Sequence, residues 1–517
     1  MRHTQVYNPY LPSFEYVPVG EPHVFGERVY LYGSHDRFHG AQFCLNDYVC
    51  YSADVRDLKN WRYEGVIYRK EQDPRNQNIP ADTPKPERAS WDYTDPEEYG
   101  PEDWNGPGIH AMWAPDVVRG VDGRYYLYYC LDFLPEIAVA VCDTPAGQYE
   151  YLGLVKHPDG TPLGTREGDL IQFDPGVFLD EDGTVYLYSG NDANEGTPDI
   201  DRRASQVMRL RSDMLTIDGE GKRLIPGPRN CEGTGFEGHS FFEASSIRKI
   251  GERYYLVYSS ELSHELCYAV SEKPDEGFRF GGTIVDIADF GLAGDTKEEV
   301  LNCYGNTHGG IEQINGKWYV FYHRQTNRTN YSRQACAEEI VFEPDGSIRQ
   351  EPVTSCGLNG GALRGEGRYP AGICCRLRGK NGVAFSMPWV MKKDYPYLTQ
   401  DGPDVEPTNE TLERDWTEPY QYIANIADGS EIGYKYFEFA GAKKLGVTVR
   451  GQADGVVAVS VHRPGEDREI GRIIVRINEA EWHDREGCVE FPDGVWELRL
   501  KFEGTGSFDL RAVEFGA

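Results

Sequence analysis

Five times along the chain, a run of alternating aromatic and aliphatic residues follows a short polar turn, and this repeat limits the fold more than any other feature. The runs are "VYLYGS" from Val29, "YYLYYC" from Tyr125, "VYLYSG" from Val185, "YYLVYS" from Tyr254 and "WYVFYH" from Trp318. The turns before them read "FGER", "VDGR", "EDGT", "IGER" and "INGK". Alternation of period two after a glycine or charged turn marks the second strand of a hairpin. Strand-type self-similarity with starts 96, 60, 69 and 64 residues apart marks a β-propeller. The pattern predicts five blades of four strands each. With 34 tyrosines, 22 phenylalanines, 58 glycines and 31 prolines, and no sustained helical period, the class expected is all-β.

The innermost strand of each blade should run just upstream of its aromatic strand. An ionisable residue stands 8 to 11 positions upstream in every repeat: Glu21, Asp116, Asp174, Glu243 and His308. Innermost strands surround one axis, so residues at one height on them converge, and the five are expected to form a ring at the mouth of the channel. Like charges held close raise one another's pKa values. A protonated carboxyl opposite an ionised one is what breaking a glycosidic bond with inversion requires. Each residue also has a plainer reading. Asp116 follows Pro115 and Asp174 lies in "QFDPG", so both suit turns, and His308 in "NTHGGI" suits a satisfied core histidine. Glu243, in "SFFEASSI", is harder to explain in this way. Only the shared position across repeats lifts the set above these alternatives.

The chain carries 53 basic and 84 acidic residues, a formal charge of −31. Nucleic acid and anionic membranes need basic surface and are not expected as partners; a neutral ligand fits, and so does acidity that serves solubility alone. Twelve cysteines lie without a C-x-x-C pair, and only Cys374 and Cys375 adjoin. This is neither a zinc signature nor a disulfide framework. No apolar leader precedes "NPYLP", so reduced thiols in the cytoplasm are the expectation. Oligomeric state has no signature.

Residues 8 to about 355 resemble glycoside hydrolase family 43, inverting five-bladed propellers that act on plant cell-wall polysaccharides. The pieces that carry the resemblance are "NPYLP", "GEPHVFGERVYLYGS", "MWAPDV", "FDPGVFLDEDGTVYLYSG", "EASSIRKIGERYYLVYSS" and "NTHGGIEQINGKWYVFYHR". The resemblance implies that Glu243 is the general acid and Asp116 the aspartate that orients it and raises its pKa. It implies that Glu21, in a Glu-Pro pair where the family has Asp-Pro, is the general base, with Glu15 and Asp36 as alternatives. His308 matches an axial histidine near a water-ligated calcium ion, a metal that prefers oxygen ligands; no organic cofactor is implied. Trp113 and Phe241 are placed to pack on a sugar ring or in the core. Asp174 and Arg324 are candidate substrate contacts.

The first interval holds a proline-rich insertion, residues 73–108, with Trp91 and Trp104, which would wall one side of the site. After a glycine-rich stretch near 356–367, short strands such as "KYFEFAG", "KLGVTVRG", "GVVAVSVHR" and "GVWELRLKFEG" indicate a β-sandwich. The expected domains are therefore a propeller, 1–356, and a sandwich, 367–517, loosely similar to a family 6 carbohydrate-binding module. The sandwich would bind sugar or buttress the propeller. The activity expected is exo-acting removal of α-L-arabinofuranosyl groups from arabinoxylan, with β-xylosidase next. From another class comes a propeller that only binds sugar or protein.

Overall fold

The computed structural model describes residues 3–83, 94, 98–100, 103–191, 204–292, 300–387 and 390–516. Each aromatic run is the second strand of an antiparallel sheet whose strands follow one another in chain order. Blade 1 comprises Glu21–Phe25, Arg28–Tyr32, Tyr48–Asp54 and Asp57–Tyr68. Blade 2 comprises Met112–Arg119, Tyr125–Leu131, Ile137–Cys142 and Glu150–Leu154, and blade 3 Gly176–Leu179, Val185–Ser189, Ala204–Leu210 and Lys222–Pro226. Blade 4 comprises Phe241–Ile250, Arg253–Ser260, Glu265–Ser271 and Arg279–Asp286, and blade 5 Ile311–Ile314, Lys317–Gln325 and Arg333–Ile340.

Both faces of each blade are buried, which explains the alternation. In blade 3, Val185 and Leu187 face blade 2, while Tyr186 and Tyr188 on the opposite face pack against Phe241, Tyr254 and Leu256 of blade 4. The same arrangement joins blades 1 and 2, 4 and 5, and finally 5 and 1. Five apolar layers therefore close the ring. Each fully buried ring or branched side chain in them stabilises the fold by about 1.5–3 kcal/mol.

Blade 5 has three strands where four were expected, and the N-terminal segment completes the closure. Asn8 Nδ2 donates to Ala337 O (3.0 Å), and Ala337 N donates back to Asn8 Oδ1 (3.0 Å). A side-chain amide thus imitates one rung of a sheet. Gly20 then bridges Gly309 in parallel, and Val6, Tyr10, Leu11 and Val17 fill the seam between blades 5 and 1.

Nine of the described C-terminal strands form one hydrogen-bonded sheet around a single apolar core, and Phe385–Ser386 pairs with Val390–Met391 in a separate two-stranded sheet. The runs "KLGVTVRG" and "GVVAVSVHR" are one long strand, Lys444–Arg463, and "GVWELRLKFEG" continues as one strand through "SFDLRAVEFG", Gly494–Gly516. Their glycines bend the strands instead of ending them: a Cβ on Gly455 would lie 2.4 Å from Glu503 O, and one on Gly504 2.6 Å from Asp454 O. Only glycine permits that approach. The glycine-rich stretch is packed too, with Leu363–Arg364 pairing in parallel with Phe437 and Glu438.

Candidate active site

Innermost strands start at the mouth of the channel, and the loops between second and third strands return to the same end. Together they build the site. Four of the five innermost strands carry a left-handed, non-glycine residue at or near their start: Val19 (φ 59°), Ala114 (φ 36°), Asp174 (φ 44°) and Ala244 (φ 72°). Register shifts accompany two of them, between Trp113 and Asp116 and around Glu243. Such bulges re-aim side chains, and here they split the expected ring into two layers.

The upper layer centres on Glu243, which is half-buried. Asn191 Nδ2 donates to its Oε2 (3.0 Å), and Asn306 also bonds it. Burial and then the negative charge of Asp174 push its pKa well above the ordinary carboxylate value, against the opposing pull of Arg333. Asp174 is 4% exposed and lies 3.3 Å from His308 Nδ1. Arg333 is buried, and its Nε (2.9 Å) and Nη2 (2.9 Å) grip both oxygens of Asp36. Asp36 also accepts from Cys44 N, so it serves to hold the arginine.

The lower layer closes the channel. Ser246, three residues after Glu243, donates from Oγ to Glu21 Oε2 (2.9 Å), bridging blades 4 and 1. Arg248 Nη2 donates to Pro22 O (2.6 Å) and lies 3.5 Å from Glu21 Oε2. Glu21 is 1% exposed, and its Oε1 has no hydrogen-bond partner among the described residues. Burial first, and the Asp116 charge second, raise its pKa to about 8. Asp116 accepts from the backbone N–H groups of Val117 and Val177 (both 2.7 Å) and lies 2.6 Å from His23 Nε2.

Several expectations change accordingly. The carboxylate that raises Glu243 is Asp174, not Asp116, whose partner is Glu21. Phe241 is 0% exposed and packs on Tyr258 in the seam between blades 3 and 4, so it has no face for a sugar. Trp113 is half-buried and meets Phe43, Phe133 and Phe173 with ring centroids 5.8, 6.3 and 5.4 Å away. Arg324 is 3% exposed and turns away from the channel. It donates to Cys374 O (3.0 Å), Gly372 O (2.7 Å) and Gln421 Oε1 (3.2 Å), clamping blade 5 to the C-terminal part. Glu15 is buried beside His35, at 4.0 Å, with its pKa raised to about 7 by burial.

His308 belongs to no group of three converging donors among the described residues. An ion beside it would rest on water, as the resemblance implies, and no chemical step below passes through one. In the insertion, Ala41 N donates to Asp103 O (2.9 Å) and Tyr99 stacks on His39 at 4.2 Å, so its described part packs on the mouth loop of blade 1. Trp104 is half-buried there, and its carbonyl accepts from Arg37 Nη2 (3.4 Å); Trp91 lies outside the described residues. Sequence reasoning missed Asn191, Asn306 and Arg333. A usable signal existed for the first: Asp36, Asp132 and Asn191 each stand one or two residues beyond an aromatic run, where the mouth loops begin.

Residues 86–348 match the model of glycosyl hydrolases family 43. A xylosidase/arabinosidase from Thermoclostridium stercorarium is 45% identical over 512 residues, 98% of each chain. An arabinoxylan arabinofuranohydrolase from Paenibacillus polymyxa is 25% identical over 432 residues, covering 77% of this chain and 59% of that one. Among solved structures, a family 43 arabinoxylan arabinofuranohydrolase from Bacillus subtilis in complex with cellotetraose aligns over 98% of this chain and 97% of that chain. Its TM-score is 0.48 and its identity 20%.

Proposed function

The chain belongs to glycosyl hydrolases family 43, and from that premise we propose that it is an exo-acting, inverting glycosidase that removes α-L-arabinofuranosyl groups from arabinoxylan or its oligosaccharides. The observation that carries this reading is the floor that the Ser246–Glu21 bridge makes between blades 4 and 1, three residues along the strand from a half-buried Glu243 whose pKa burial and the Asp174 charge raise well above the ordinary value. A closed floor admits one terminal sugar and leaves the rest of the chain at the mouth. Glu243 donates its proton to the departing oxygen. Asp174 keeps that proton in place until then, and Asn191 and Asn306 hold the carboxyl in line.

Glu21 is the proposed base, acting as one unit with Asp116. Burial and the Asp116 charge hold the pKa of Glu21 at about 8, so it accepts a proton from water only after it has lost its own. A base of this kind places the acidic limb of the rate profile unusually high, near pH 8. A β-xylosidase is the second reading, because the 45% identical relative is named for both activities. The C-terminal sheet is proposed as a buttress: Arg324 and the buried Lys435–Asp289 pair tie it to blades 4 and 5. A sugar-binding role like that of a family 6 module is the alternative.

Rates on 4-nitrophenyl α-L-arabinofuranoside and 4-nitrophenyl β-D-xyloside, with the first-formed anomer read by NMR, test the proposal. A furanoside preference with inversion supports the first reading, and a xyloside preference the second. A retained anomer or no turnover of either would overturn the mechanism.

A further inference from the structure

Phe133 stands out at the mouth end of blade 2, just after the strand Tyr125–Leu131. Its ring is 59% exposed, whereas nearly every other described aromatic residue of the propeller is buried or half-buried. Its backbone is left-handed (φ 59°), a conformation that bulky residues rarely adopt. Exposed apolar surface and backbone strain both cost stability, and strain of this kind persists only where the surroundings impose it.

Here they do impose it. Asp132, 2% exposed, accepts from Ala111 N (3.0 Å), His110 Nδ1 (2.8 Å) and Gln42 Nε2. Asp132 N donates to Ala111 O (3.0 Å), and Leu134 N closes the turn on Leu131 O (3.3 Å). Both neighbours of Phe133 are therefore tied to blade 2, and the ring is presented on a rigid support. It meets the half-buried Trp113, which in turn contacts Phe173, the residue before Asp174. The aromatic series runs outward from the pocket wall: Phe173, Trp113, Phe133. Trp113 Nε1 is buried without an acceptor among the described residues, which leaves its ring faces and edge as the surface it offers.

We propose that Phe133 is the platform for the sugar on the leaving-group side of the cleaved bond, a neutral pyranose of the xylan type stacked on its exposed face. The inference rests on the glycosidase reading above and deepens it: the floor fixes the terminal sugar, and Phe133 selects what that sugar is attached to. Stacking on one aromatic ring suits the flat, apolar face of a pyranose. The arrangement adds no charge, in keeping with an uncharged polysaccharide.

The test compares wild type with Phe133→Ala and Phe133→Trp on two substrates that share a terminal sugar. These are xylotriose and methyl β-D-xyloside, or arabinosyl-substituted xylotriose and methyl α-L-arabinofuranoside. In Phe133→Ala the ratio of kcat/KM on the oligosaccharide to that on the methyl glycoside should fall about tenfold, mainly through KM, and Phe133→Trp should restore it. Binding of the same oligosaccharides to Glu243→Gln protein, followed by tryptophan fluorescence, reads the platform independently of turnover. There Phe133→Ala should weaken oligosaccharide binding about tenfold more than binding of the monosaccharide. An unchanged ratio in both measurements, or an equal loss on both substrates, would overturn the inference. Absence of turnover in wild type with the binding difference intact would overturn the glycosidase reading and leave the platform standing.

Discussion

Asp174→Asn separates the structural assignment from the one that the sequence suggests. The substitution removes a charge, keeps the shape, and suits the left-handed backbone at φ 44°, which asparagine tolerates as well as aspartate does. Glu243 is raised first by burial, which stays, and second by the charge of Asp174, which goes. At an effective dielectric of about 20, a like charge in direct contact costs about 3–4 kcal/mol. Arg333 already offsets part of this, and the pKa of Glu243 falls by what remains. A lower pKa means that the acid loses its proton sooner, and the alkaline limb of kcat/KM moves down by the same amount. The acidic limb stays where Glu21 sets it. The two limbs close on each other, and the peak rate falls about 10- to 100-fold. Initial rates from pH 5 to 10 on one nitrophenyl glycoside give both limbs. An alkaline limb that does not move would refute the reasoning.

Other outcomes follow from the same contacts. Asp116→Asn should leave the alkaline limb in place and lower the acidic limb, because Glu21 loses the like charge that helps hold it near 8; a wild-type acidic limb below about pH 6 would remove Glu21 from the role of base. Gly310→Ala puts a Cβ 2.5 Å from Ser246 Oγ and 2.6 Å from Glu21 Oε2, so it should cost about 1–3 kcal/mol in urea unfolding and slow turnover more than tenfold. A Gly310→Ala variant with wild-type stability and rate would show that the floor is not rigid. Lys435→Met strands the buried carboxylate of Asp289 and should cost about 3–5 kcal/mol, with turnover per folded molecule kept; a loss below about 1 kcal/mol would mean that the pair does not hold the two parts together.

The blades were legible because both signals are local. Alternation and the turn before it lie within a dozen residues, and the buried faces of each sheet demand that pattern. The carboxylates were legible as a set for the same reason, since each keeps one offset from its aromatic strand. Their pairing was not. Left-handed residues at 114, 174 and 244 and the bulges beside them shift the heights of side chains that share an offset. Glu243 and Asp174 therefore meet at the mouth, and Glu21 and Asp116 meet below. Arg324 looked like the arginine of the site because it ends an aromatic run. Arg333, which fills that place, is held by Asp36 across 297 positions of sequence, a distance at which no local pattern speaks. The long C-terminal strands were read as broken at glycines that mark close backbone contact instead.

The central claim is that Glu243 acts as the proton donor to the departing oxygen. The most direct measurement compares Glu243→Gln with wild type on two glycosides of the preferred sugar, one with methanol and one with 2,4-dinitrophenol as leaving group. A leaving group that needs no proton does not need the acid. The account predicts a loss of about 10²–10⁴-fold on the methyl glycoside and a loss of about tenfold or less on the dinitrophenyl glycoside. An equal loss on both, in protein that is still folded, would contradict it.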